Sequence, residues 1–261
     1  VSNLGSLVAR IFFAPLEEAA FAHFSRDKAA AAPHDAASPA ARATRRSLGA
    51  LLRAVALFAA LAVSYGPTYG RLLVRLLYGT TWADGPAPAL FSTYCVAIAA
   101  MALNGLAEAY VQATASRAQL ARFSMLSIVF TAVYVLASIA GARTLGTHGI
   151  VLANSLNLGL RAAVCLAHIR REATAVGDTD VRLSLHRLVL ATVVASALGA
   201  RAAGELLGVW RSTATLRAHV AHVLVGILGV ATVALSALWC EPDLRAYLRS
   251  FISRKSQSKV D

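Results

Sequence analysis

The sequence predicts an all-α fold: a polytopic transmembrane helix bundle of about seven spans. Three observations predict it. The 261 residues are 57% hydrophobic and only 15% charged, with a mean hydropathy of +0.61. A soluble domain of this size would need more polar surface to cover its core. The apolar residues are also grouped, since Ala87–Ala107, Phe123–Ala142 and Ala218–Cys240 contain no Asp, Glu, Lys or Arg. Each run is long enough for a helix to cross about 30 Å of hydrocarbon at about 1.5 Å per residue. The third observation is that the basic residues sort by side once the spans are drawn.

In chain order the spans are expected near 3–24, 47–66, 88–112, 122–142, 146–168, 186–207 and 218–240, making residues 1–240 the transmembrane bundle. The first and sixth carry internal charge. Residues 25–47, rich in Ala, Pro and Arg, read as a mobile cytoplasmic loop. After the second span, Arg71 and Arg75 stand at i, i+4 among Leu72, Leu73, Leu76 and Leu77, the pattern of an amphipathic extension near the interface. Gly79 to Pro88 then supplies helix breakers. Residues 241–261 read as a basic cytoplasmic tail. Of the 25 Lys and Arg residues, 16 fall in loops on the side of the tail, 5 on the other side and 4 within spans. Basic loops stay cytoplasmic, so the C-terminus is expected there.

The formal net charge of +12 does not point to nucleic acid, because the basic residues sit between apolar runs rather than in a stripe with interleaved aromatics. Cys95, Cys165 and Cys240 are too few and scattered for a disulfide framework or metal site. His219 and His222 have no third ligand nearby, so no metal is expected. No nucleophile elbow, phosphate-binding glycine loop or Cys-x-x-Cys is present, and the loops are short and basic. Neither an enzyme nor a cofactor is expected. The chain starts at Val1 without an initiator Met or signal peptide and is expected to be a piece of a longer protein.

Ionic groups within a bilayer cost at least about 2.5–3.5 kcal/mol each at the midplane, so they normally face a cavity or a partner. In the first span Arg10 and Glu17 are seven apart on one face, Glu18 follows, and Pro15 between them removes a helical hydrogen bond. Broken helices with nearby charges build transport cavities. The alternative is that Arg10 snorkels to one interface while the glutamates sit in the other headgroup layer. Asn104 and Glu108 are one turn apart in the third span; Asn154, Asn157 and Arg161 make a stripe in the fifth. A Glu108–Arg161 pair would spare both groups unpaired burial. The asparagines read equally as interhelical glue, worth ~0.6–2 kcal/mol apiece.

The stretch from Asn3 to Arg10 with Pro15, Glu17 and Glu18 resembles the Rft1 family, within the multidrug/oligosaccharidyl-lipid/polysaccharide flippase superfamily. Leu77 to Trp82, Ala87–Pro88, Tyr94–Cys95, Asn104 to Ala109 and Gly149 to Arg161 follow in the same order. The resemblance is strong over residues 1–170 and rests on hydropathy alone for the last two spans. It implies the C-terminal half of a two-bundle protein of the endoplasmic reticulum membrane, acting in N-glycosylation. The expected function is movement of a dolichol-diphosphate-linked oligosaccharide from the cytoplasmic to the lumenal leaflet. The expected partners are that glycolipid, membrane lipids and the N-terminal half of the same protein. On this resemblance Arg10, helped by Arg161 or Arg53, would attract the diphosphate. Asn104, Asn154 and Asn157 would bond sugar hydroxyls, and Glu17 and Glu18 would hold the arginines or couple to a proton. A non-transporting scaffold of the same pathway, or a flippase for another lipid-linked substrate, are the alternatives.

Overall fold

The computed structural model describes residues 11, 13–30, 38–177, 184–210 and 214–257, and among them no strand occurs. The helices are α1 (Ala14–Ala30), α2 (Pro39–Tyr78), the single turn α3 (Thr80–Ala83), α4 (Ala87–Thr114), α5 (Arg117–Leu145), α6 (Thr147–Ala175), α7 (Arg187–Leu206), α8 (Leu216–Cys240) and α9 (Pro242–Gln257). Six of them, α2 and α4 to α8, are long and apolar enough to cross a membrane. The chain is an all-α polytopic bundle. The expected first span is described only in part, because residues 1–10 lie outside the described residues.

One expectation needs correction. Residues 25–47, expected as a loop, are helical to Ala30 and again from Pro39. The same alanines that made the segment look low in complexity are the best helix formers. Ser38 starts the new helix by accepting from the Ala41 amide at 3.2 Å, with Pro39 in the first turn where its missing N–H costs nothing. Within the expected basic tail, Pro242–Gln257 forms α9 with Asp243 in its first turn. An acidic residue there complements the helix dipole.

The chain divides into two compact units, Val1–Ala59 with Thr93–Leu183, and Ala60–Ser92 with Ser184–Asp261. In the first unit, Phe24, Leu48, Leu52, Leu106, Val111 and Ile169 are buried in one core. Phe24 meets Tyr110 edge-on at 5.1 Å. The α4–α5 corner is a capping box, with Ser116 Oγ accepting from the Gln119 amide at 3.3 Å and Gln119 Oε1 from the Ser116 amide at 2.7 Å. Lys28 Nζ donates to the Thr114 carbonyl at 2.6 Å, placing a cation on the negative end of α4. Between α5 and α6, Gly146 takes φ 59°, a turn that favours glycine. The two helices then touch backbone to backbone: a Cβ on Gly149 would overlap the Gly141 carbonyl. Such small-residue seams hold membrane helices through van der Waals contact. No residue of α5 is buried.

In the second unit Tyr65 packs with Ala197 and Ala200. Thr192 and Ser236 share a hydrogen bond of 2.8 Å between α7 and α8. Glu241, at the α8–α9 corner, is 6% exposed and accepts from the His186 amide at 2.7 Å, just before α7 begins.

Candidate functional site

Helix periodicity alone sets up a polar line on α4, because residues four apart share a face. Asn104, Glu108 and Gln112 form that line and are bonded to one another. Asn104 Nδ2 donates to Glu108 Oε2 at 3.0 Å, and Gln112 Nε2 donates to Glu108 Oε1 at 3.3 Å. From α6, Arg161 closes on the same carboxylate, its guanidinium 2.5 Å from Glu108 Oε1. The side chains are 30% and 25% exposed, so the pair is partly desolvated and stronger than a surface ion pair. Glu108 therefore has both oxygens engaged.

Facing this line is α1. Pro15 falls in its first turn, and residues 11 and 13 just before it are in a wider π turn. Glu17 and Glu18 project from α1 into a cavity of about 660 Å³ whose other wall is Asn104, Gly105, Glu108 and Gln112. Phe13, Phe21 and Met101 supply its apolar parts. Gly105 is the contact point: a Cβ there would overlap Glu17 Oε1. Neither Glu17 nor Glu18 has an ion-pair partner among the described residues. A second cavity of about 90 Å³ opens beside Arg161, Phe123, Ser124 and Cys165, and Glu108 and Gln112 line it too.

Of the expected residues, Glu17, Glu18, Asn104 and Glu108 line one cavity, and Arg161 joins them through Glu108. Asn154 and Asn157 line neither cavity. Asn157 instead keeps a buried carbonyl oxygen without a hydrogen-bond partner among the described residues. Arg53 is 7% exposed, sits in the part of α2 that belongs to the same unit, and lines neither cavity. Arg10 lies outside the described residues. Gln112 is the residue that sequence reasoning passes over. Its signal is plain, one further turn along from Glu108.

Chemically, carboxylates and amides with an apolar floor suit hydroxyl-rich ligands, because a hydroxyl can both donate and accept. Among the described residues the cavity carries more acidic than basic side chains. Among those residues no three His, Cys, Asp or Glu side chains gather as a metal site.

The family profile described as Rft protein matches residues 1–251. The chain belongs to that family. Relatives named Man(5)GlcNAc(2)-PP-dolichol translocation protein RFT1 include one from Mus musculus, 27% identical over 99% of this chain and 48% of its own length. Another from Yarrowia lipolytica is 34% identical over 76% of this chain and 31% of its own. A third, from Xenopus tropicalis, is 29% identical over 66% of this chain and 32% of its own. This Rft family chain thus spans about half the length, or less, of these curated relatives. No solved structure matches it.

Proposed function

We infer that the chain is the C-terminal half of a protein that carries a dolichol-diphosphate-linked oligosaccharide across the endoplasmic reticulum membrane in N-glycosylation. The observation that carries this reading is the bonded line Asn104–Glu108–Gln112, anchored by Arg161, which lines a 660 Å³ cavity together with Glu17 and Glu18. Polar groups held in lipid-embedded helices mark a substrate path. The names of the relatives supply the substrate class.

The cavity is one wall of a cleft completed by the N-terminal half, and two bundles rocking about it give alternating access. Sugar hydroxyls bond to Asn104, Glu17 and Glu18. The diphosphate is met by Arg10, with Arg161 released from Glu108 as a second arginine, since a guanidinium fits phosphate oxygens. The lipid tail stays in the bilayer. The work is positional rather than catalytic. The C-terminus, with α9, lies in the cytoplasm, where the basic loops gather.

Two experiments test this. Glu17→Lys in the full-length protein is expected to abolish complementation of glycosylation in cells depleted of their own copy; normal complementation sinks the cavity assignment. Purified full-length protein in vesicles is expected to move labelled glycolipid between leaflets. Failure there, with complementation intact, turns the reading to a non-transporting scaffold of the same pathway.

A further inference from the structure

In the second unit, the last turns of α2, the turn after α7 and the first turns of α8 close around a small cavity of about 10 Å³, room for about one water-sized atom. Its polar lining is Arg71, Arg75, Trp210, His219 and His222. His222 is 1% exposed, yet among the described residues neither of its ring nitrogens has a hydrogen-bond partner, and buried Trp210 Nε1 has none there either. Buried polar atoms are normally paired, so three orphans around one cavity call for a ligand.

The neighbours do not supply the missing bonds. Tyr69 stacks on His222 at 4.5 Å, but its hydroxyl donates to the His222 backbone carbonyl at 2.9 Å. Arg71 donates to the Trp210 carbonyl and pairs with Asp84 at 2.5 Å. His219 Nδ1 lies 2.9 Å from the Thr215 carbonyl. Arg75 joins no ion pair among the described residues. What remains unspent is a guanidinium, an indole N–H and an imidazole N–H, near the positive N-terminal end of α8. Gly204 keeps the space open, since a Cβ there would stand 2.8 Å from Trp210 Cζ2 and 3.1 Å from His222 Cε1.

We propose that this cavity seats one oxygen of a phosphate group, with the rest of the phosphate at its mouth against Arg75. Such donors match phosphate oxygens, and Arg75 supplies the charge. Leu76, Trp82 and Tyr78, which follow Arg75, are 80%, 62% and 44% exposed. Trp and Tyr are favoured at the level of lipid headgroups. A headgroup phosphate and a free phosphate ion share this chemistry. The proposal uses no residue of the translocation reading and stands whether or not that reading does.

Delipidated full-length protein titrated with phosphatidylserine, and separately with inorganic phosphate, tests it by native mass spectrometry. Wild type is expected to bind one phosphatidylserine whose apparent Kd rises about tenfold or more in Arg75→Gln, the loss of a charge-assisted hydrogen bond, and also in His222→Phe. Inorganic phosphate binding with the same dependence on Arg75 assigns the site to the free ion instead. Equal binding by wild type and Arg75→Gln, or no saturable binding of either probe, overturns the proposal and leaves the cavity to a water molecule. Arg75 is only half-buried, so its variant decides the matter even if His222→Phe fails to fold.

Discussion

The carboxylate of Glu17 occupies the space that a side chain at Gly105 would need. This contact joins α1 to α4 in the wall of the 660 Å³ cavity. A residue with any Cβ at position 105 must push Glu17 aside or separate the helices.

Gly105→Ala is therefore expected to turn the Glu17 carboxylate away from α4 and to weaken function, with little loss of stability, because what must move is the end of a flexible side chain beside an open cavity. Complementation of glycosylation by the full-length variant, together with its thermal unfolding, checks this. Full activity in the folded variant would contradict a role for the contact.

Glu108 and Arg161 are expected to be energetically coupled. Removing either alone strands a partly buried charge, so the double variant Glu108→Gln with Arg161→Met should be destabilised by less than the sum of the two single variants. The coupling expected for residues in direct contact is about 1–3 kcal/mol. A double-mutant cycle on the unfolding of purified protein measures it. Strict additivity would mean that the 2.5 Å pair contributes nothing.

Gly149→Ala and Gly159→Ala, both in α6, are expected to move stability in opposite directions. A Cβ at Gly149 overlaps the Gly141 carbonyl, whereas nothing lies within 4 Å of one at Gly159. The first should part the α5–α6 seam. The second should be neutral or gain up to about 1 kcal/mol from helix propensity. Comparing the two variants in one unfolding assay removes any general effect of the substitution.

Sidedness has a direct test, because the chain contains no Asn-x-Ser/Thr acceptor of its own. An acceptor placed after Asp261 is expected to stay unglycosylated. One placed on a short spacer at Gly85, in the turn before α4, is expected to be modified. The reverse pattern would invert the topology drawn from the basic loops.

The fold class was legible because bilayer thickness imposes a length that apolar runs must meet. The line Asn104–Glu108 was legible from helical spacing; the expense of leaving either charge alone suggested a partner in Arg161, but spacing cannot show that two helices meet. The boundary of α2 was not, because Ala and Arg at residues 40–46 score as polar low complexity while their propensity is helical. The Glu17–Gly105 contact was not, because it joins helices some ninety residues apart along the chain and periodicity speaks only within one helix. The stripe Asn154–Asn157–Arg161 misled in part: a shared face places residues together on a helix but does not say how far each reaches toward a cavity.

The 40 residues of α2 make a rod about 60 Å long, roughly twice the hydrocarbon it has to cross. Even steeply tilted, such a rod leaves backbone standing in water on at least one side. Among the described helices it is the longest. Pro67 lies within it, so the rod gives up one backbone hydrogen bond partway along its length.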